Sequence, residues 1–161
     1  MAKLKPAIGL SDKSRAGVAA ILNTVLADEY VLYTKTRNYH WNVVGPQFND
    51  LHKFFESQYE AIDESIDEVA ERVRALGEPA AGSLAEFLKF ARLKESAPDK
   101  KLNAEKMIEN LLHDHEALIT ALREDLETVA AKFKDTGNQD FLTGLLEEHE
   151  KMAWMLRSYL E

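Results

Sequence analysis

Apolar residues along the chain recur at intervals of three and four positions, which is the period of an amphipathic α-helix. The first such stretch begins after Ser11, a residue that can cap a helix, and is predicted to run to about Asn38. The second is predicted to start at Pro46 and to continue to Leu76, where Gly77-Glu78-Pro79 ends it. The first half of the chain is therefore predicted to be an antiparallel helical hairpin.

The second half of the chain shows the same period and adds one short helix. Ser83 and Glu86 have the spacing of a capping box, which predicts a helix over residues 83–92. The elements that follow are a loop over 94–101, a long helix over about 103–134, a break at 135–138 and a last helix over about 139–160. Four long helices indicate an all-α four-helix bundle, with the short helix in the crossover between the second and third of them.

Length and composition fit one bundle domain. The chain has 161 residues, of which 45% are hydrophobic, and no cysteine, so disulfides and thiolate metal sites are excluded. We predict a flexible N-terminal tail over 1–10 and the bundle over 11–161. No apolar run approaches the roughly 20 residues of a membrane-spanning helix, and the N-terminus has no signal-peptide core. We therefore expect a cytoplasmic protein without a membrane partner.

Metal sites inside helical bundles follow a known pattern, which this chain lacks. Di-iron bundles use Glu-x-x-His on two helices and a Glu on each of the others. No Asp or Glu stands three residues before any of the five histidines. An in-bundle di-iron site is therefore not predicted. His113, His115 and His149 have no ligand partners in the pattern, and we expect structural or surface roles for them.

The second helix carries a different candidate site. At 100° per residue, His52, Glu56, Asp67 and Glu71 fall on one stripe. The apolar stripe beside it contains Leu51, Phe55, Ile62, Ile66, Val69 and Val73. The candidate ligands thus lie at the edge of the buried face, where a second subunit can pack.

One chain cannot bring these four side chains to a single ion. His52 and Glu71 are separated by roughly 28 Å along the helix axis, whereas metal–ligand bonds are about 2 Å long. A two-fold axis between positions 61 and 62 would place His52 and Glu56 of one copy opposite Glu71 and Asp67 of the other. His40, at the end of the first helix, lies next to the start of the second and joins the half-site of His52.

Two sequence segments stand out around these residues: HWNVVGPQFNDLH, followed four residues later by Glu56, and DEVAERVRALG from Asp67 to Gly77. Together they resemble the signature of the Dps mini-ferritins, the DNA-protection-during-starvation family. The resemblance covers nearly the whole chain and implies a ferritin-like bundle, assembled as a hollow homododecamer. It also implies ferroxidase activity: Fe(II) is oxidised, preferentially by hydrogen peroxide, and stored as ferric mineral, which protects against oxidative stress.

The resemblance implies a specific ligand set for two irons per intersubunit site. One subunit would supply His40, His52 and Glu56, and its partner Asp67 and Glu71. Many members of the family carry Asp where this chain has Glu56, so the carboxylate here has a longer reach. Imidazole and carboxylate donors suit Fe(II), although the same donors also hold zinc or manganese.

Several neighbouring residues have two interpretations each. Glu60 and Asp63 lie on the same face as the ligands and either support them or are simply polar interface residues. Trp41, next to His40, is either an electron or radical sink or an aromatic packed at a helix end. In the family, acidic residues near the last loop line pores for iron entry. The candidates for such a pore are Asp135, Asp140, Glu147 and Glu148.

DNA binding is the alternative function, as a compacting structural protein of the nucleoid. Some members of the family bind DNA through a basic tail, and this chain offers Lys3 and Lys5, with Lys13 and Arg15 just beyond. The net charge of −8 repels phosphate, so such tails would have to act together at low salt. A metal-free helical scaffold is a further alternative, which would be indifferent to Fe(II).

Overall fold

The computed structural model describes residues 4–95 and 101–161. These residues form helices and no β-strand, which confirms the predicted all-α class. The elements are α1 (Asp12–Asn42), α2 (Phe48–Ala75), α3 (Leu84–Phe90), α4 (Ala104–Thr128), a π-helical turn (Val129–Phe133) and α5 (Thr136–Ser158). Two antiparallel hairpins, α1–α2 and α4–α5, make the four-helix bundle, and the short α3 packs against α1 in the crossover.

Side-chain caps begin most of these helices at the predicted positions. The Oγ of Ser11 accepts a hydrogen bond from the N–H of Ser14 at 3.0 Å and starts α1. Ser83 Oγ accepts from the N–H of Glu86 at 3.3 Å and donates to its carboxylate at 2.8 Å, as a capping box requires. The local signals in the sequence therefore located both starts.

The turn between α1 and α2 differs from the prediction by a few residues. α1 does not end at Asn38 but runs to Asn42, and the N–H of Val43 still bonds to the carbonyl of Tyr39 at 2.9 Å. α2 begins at Phe48 rather than at Pro46, because Gly45, with φ of 123°, turns the chain and its carbonyl accepts from the N–H of Phe48.

The junction between α4 and α5 also differs. The predicted helix to residue 134 gives way at Val129 to a π-helical turn, and the reversal is at Lys134, with φ of 57°. The predicted break at 135–138 is instead the cap and first turn of α5. Phe133, in the π-helical turn, packs on α1 so closely that a Cβ on Gly17 would lie 2.3 Å from its ring.

The core runs along the inward faces of all four long helices. Every member of the apolar stripe predicted for α2 is buried: Leu51, Phe55, Ile62, Ile66, Val69 and Val73. The predicted ligand stripe, which lies beside it on α2, is half-buried at His52 and Glu56 and exposed at Asp67 and Glu71. Within the parts of the chain that the structure describes, no helix is both long and apolar enough to cross a membrane.

A buried carboxylate anchors the crossover that follows α3. Asp28 of α1 is completely buried and accepts hydrogen bonds from the N–H groups of Arg92 and Leu93 at 2.6 and 3.0 Å. Its second oxygen accepts from Arg92 Nε at 2.7 Å. The same guanidinium reaches Asp125 of α4 at 2.8 Å, so one arginine ties the crossover to both hairpins. The predicted loop over 94–101 is described only in part, since residues 96–100 lie outside the described ranges.

The N-terminal segment contacts the bundle where it is described. Lys5 forms an ion pair with Asp12 of α1. Pro6 lies against Gly77, whose φ of 86° ends α2, and a Cβ on that glycine would be 2.7 Å from the proline ring. Lys3, one of the predicted tail cations, lies outside the described residues. The division into tail and bundle stays a prediction.

Candidate metal centre

Two histidines face each other where α1 ends and α2 begins. His40 Nδ1 lies 2.7 Å from the carbonyl oxygen of His52, and His52 Nδ1 lies 2.8 Å from that of His40. A carbonyl oxygen only accepts, so each Nδ1 donates its N–H, and in a neutral imidazole of this tautomer the lone pair is on Nε2. The rings are stacked, with centroids 3.8 Å apart. The fold therefore orients two imidazoles so that their Nε2 atoms are the ones suited to bind a metal.

The third predicted ligand follows one helical turn later. Glu56 is half-buried on the same side of α2 as His52. Its Oε1 accepts a long hydrogen bond, 3.5 Å, from the hydroxyl of Tyr59. Burial and the charge of Glu56 raise the pKa of Tyr59, so this phenol remains a proton donor at neutral pH. His40, His52 and Glu56 thus form one end of the predicted ligand stripe.

Asp67 and Glu71 lie at the other end of the same helix. Both are exposed, and neither makes an ion pair or side-chain hydrogen bond within the described part of the chain. Across residues 4–95 and 101–161, no group of three or more His, Asp or Glu side chains is arranged to hold a metal ion. A single chain therefore presents two separated parts of the predicted set, and their union depends on a second copy.

The other candidate residues near the predicted ligands, Glu60, Asp63 and Trp41, are all exposed. Glu60 and Asp63 are exposed on α2. Trp41 is 63% exposed, and the guanidinium carbon of Arg37 lies 5.2 Å from the centroid of the Trp41 ring.

The four pore candidates differ in their exposure to solvent. Asp140, Glu147 and Glu148 are exposed, and Glu148 accepts a hydrogen bond from Ser65. Asp135 is buried as the cap of α5, where its oxygens accept from the backbone and side-chain nitrogens of Asn138 at 3.0 and 2.5 Å. Its carboxylate is therefore occupied inside the subunit, which leaves the other three as candidates.

Two of the remaining histidines have partners inside the bundle, which is the structural role expected for them. His115 of α4 and His149 of α5 are buried in the bundle, with their Nδ1 atoms 2.9 Å apart. His149 Nε2 bonds to Oε1 of the buried Glu29 at 2.7 Å. Burial, and then His149, lower the pKa of His115 well below its usual value, so it is neutral. His113, in contrast, is exposed, as expected for a surface role.

A sequence signal for this internal network existed. Glu29 falls on the apolar stripe of α1, between Leu26 and Leu32, and each of the two histidines likewise interrupts a stripe of leucines. Polar residues on the buried stripes of three helices predict a shared hydrogen-bond network, because isolated buried polar groups are costly.

An aromatic cage, which was not predicted from the sequence, surrounds Arg37. The guanidinium lies 4.9 to 5.5 Å from the ring centroids of Tyr59, Trp41 and Tyr33, and it donates to the hydroxyl of Tyr33 at 2.6 Å. The aromatic residues at 30, 33 and 41 on one helix gave a packing signal, but their meeting with Tyr59 of α2 required the hairpin.

Comparison with known proteins assigns the chain to a family. The family model of the ferritin-like domain matches residues 19–161. DNA protection during starvation protein 2 of Bacillus anthracis is 39% identical over 89% of this chain and 96% of that protein. The chain belongs to the Dps family of ferritin-like proteins. The resemblance inferred from the two sequence segments is thereby confirmed.

Solved Dps structures share the complete fold. The Dps protein of Vibrio cholerae, a member of a broad superfamily of ferritin-like diiron-carboxylate proteins, matches with a TM-score of 0.90. The two are 32% identical, and the match covers 100% of this chain and 99% of that one. The Dps fold therefore includes the short α3, which lies in the crossover as predicted.

A low temperature-induced protein of Nostoc sp. is 53% identical over 96% of this chain and 86% of the relative.

Proposed function

We propose that this Dps-family chain is a ferroxidase and iron-storage protein that protects against oxidative damage. Its substrate is Fe(II), oxidised preferably with hydrogen peroxide at sites shared by two copies of the chain, with the ferric product stored as mineral. The observation that carries the proposal is the histidine pair, His40 and His52, whose hydrogen bonds leave both Nε2 atoms available for a metal.

The position of the carboxylates supports a site shared between subunits. Glu56 lies beside the histidine pair, while Asp67 and Glu71 are exposed about 16 to 28 Å further along α2 by helix rise. Two α2 helices packed antiparallel about an axis between positions 61 and 62 bring the two ends together twice. Each union would bind two irons, and the resemblance implies a shell of twelve chains.

The ligand chemistry fits the reaction. Carboxylates stabilise Fe(III) more than Fe(II), which favours oxidation, and the imidazole–carboxylate set suits iron. Two Fe(II) ions supply the two electrons that cleave the peroxide O–O bond: 2 Fe(II) + H₂O₂ + 2 H⁺ gives 2 Fe(III) + 2 H₂O. Paired one-electron donors at one site limit the release of hydroxyl radical.

The first test is anaerobic loading with Fe(II), followed by hydrogen peroxide and size-exclusion chromatography. Fast oxidation, with iron eluting together with a shell of about twelve subunits, is the expected result. Free precipitation of iron, with intact protein oligomers eluting without it, would contradict the proposal.

Co-expressed variants test whether the site is shared. His52→Ala and Glu71→Ala should each abolish fast oxidation, because they remove ligands from opposite ends of the stripe. In a mixed dimer one site loses both ligands and the other regains both, so a 1:1 mixture should recover about a quarter of the wild-type rate. Glu68→Ala is the matched control: it removes an exposed carboxylate of α2 outside the stripe and should stay active. No recovery on mixing would contradict the shared site.

DNA binding is not favoured by an observation in the structure. Lys5 is held by Asp12, and the net charge of the chain is −8. A binding isotherm on duplex DNA at several salt concentrations separates this alternative, since binding by a basic tail weakens steeply with salt and survives Glu71→Ala.

A further inference from the structure

One tyrosine lies between the candidate ligands and the cage of Arg37. Tyr59 of α2 is half-buried. Its hydroxyl donates to Oε1 of Glu56 at 3.5 Å, and its ring meets the ring of His40 edge-on, with centroids 5.2 Å apart at 75°. One side chain therefore contacts both a carboxylate and an imidazole of the same half-site.

The tyrosine is itself fixed from the other side. The guanidinium of Arg37 lies 4.9 Å from the Tyr59 ring centroid, and Tyr33 meets that ring edge-on at 6.0 Å. Arg37 is in turn bonded to the Tyr33 hydroxyl at 2.6 Å. Cation–π and edge-to-face contacts of this kind restrict the ring to one orientation. The phenol oxygen thus points at Glu56 from a rigid support.

Glu56 needs such support more than an aspartate would. A glutamate has one more rotatable bond than an aspartate, so its carboxylate is less confined by the helix that carries it. A hydrogen bond to one of its oxygens removes part of that freedom and leaves the other oxygen for a cation. The long 3.5 Å distance agrees with the tendency of such contacts to tighten only when the site is loaded.

We propose that Tyr59 is a positioning residue of the half-site, which orients Glu56 through its hydroxyl and His40 through its ring. This inference rests on the proposed function, because it concerns the same ligands. Arg37 acts one step further away by holding Tyr59. The arrangement adapts the half-site to a glutamate at position 56.

Binding of a redox-silent ion tests the proposal apart from oxidation. Zn(II) affinity of the assembled protein, measured by titration calorimetry, should fall about tenfold in Tyr59→Phe, which keeps the ring and removes only the hydroxyl. Tyr59→Leu should fall further, since it also removes the contact with His40. Tyr30→Phe is the control: the ring of Tyr30 stacks on Phe87, away from the proposed ligands, so loss of its hydroxyl should leave the affinity at the wild-type value. Thermal melting and shell size should be unchanged in Tyr59→Phe.

A double-mutant cycle locates the effect. If Tyr59 acts through Glu56, Tyr59→Phe should cost little in a Glu56→Asp background, because the shorter side chain no longer meets the phenol. In Fe(II) oxidation the same variant should raise KM and leave kcat nearly unchanged. Equal Zn(II) affinity of wild type and Tyr59→Phe, or fully additive effects with Glu56→Asp, would overturn the proposal. Failure of the wild type to bind either ion would instead refute the metal centre, and this inference with it.

Discussion

The buried carboxylate of Asp28 gives the most direct test of what holds the crossover in place. It accepts three hydrogen bonds, two from backbone N–H groups after α3 and one from the guanidinium of Arg92. Asn in its place offers one oxygen and an NH₂ group, so at least one of these donors faces another donor. Asp28→Asn therefore removes a buried charge from its partner and leaves a buried donor without an acceptor.

The expected loss follows from the burial of the pair. A buried donor left unpaired costs about 1–3 kcal/mol, and removing one member of a buried ion pair costs about 3–5 kcal/mol. Arg92 is partly exposed and keeps Asp125, so we expect the lower part of the second range, about 3 kcal/mol. For a chain of this size that corresponds to a drop of about 6–12 °C in Tm.

The assay is thermal melting followed by circular dichroism, at one fixed protein concentration because assembly shifts the midpoint by mass action. Glu116→Gln, which removes an exposed ion pair with Arg157, is the control and should change stability by about 1 kcal/mol or less. If Asp28→Asn melts within experimental error of that control, the buried carboxylate does not hold the crossover.

Two further predictions concern the bundle interior. Gly17→Ala places a Cβ 2.3 Å from the ring of Phe133 and should destabilise the protein by about 1–3 kcal/mol in urea unfolding. Gly144→Ala is the control, because its Cβ would have no atom within 4 Å, and it should be neutral or stabilising. Equal effects of the two substitutions would contradict the packing of the π-helical turn on α1. Burial lowers the pKa of His115, so below about pH 6.5 only the unfolded chain gains its proton and stability should fall. His115→Gln should reduce this loss of stability between pH 6.5 and 5. An unchanged pH dependence of the free energy of unfolding would contradict the prediction.

Local signals in the sequence were sufficient for most of the fold. Ser11 and Ser83 act within one helical turn of themselves, so the starts of α1 and α3 could be predicted from their neighbours. The apolar stripe of α2 likewise needed only the helical period. The π-helical turn was not predicted, and its Phe133 packs against Gly17, more than one hundred positions away in the chain, a contact that no local pattern indicates.

The candidate site shows the same division. His40 and His52 could be associated from the hairpin alone, but their reciprocal bonds to each other's backbone, which fix the tautomers, required coordinates. The partner of His115 and the α1 side chains around the Tyr59 ring lie on other helices, and no spacing within one helix identifies them. The union of Glu56 with Asp67 and Glu71 depends on a second chain and stays a prediction.

The reciprocal bonds between His40 and His52 have a consequence for protein engineering. Each ring is held by the backbone of the other, so the spacing of the pair is set by the turn at 43–47. All five proposed ligands lie in α1 and α2, and α4 and α5 contribute none. Exposed residues of α5 can therefore be redesigned without replacing a proposed ligand, provided that the inward face of α5, which completes the core behind the hairpin, is kept.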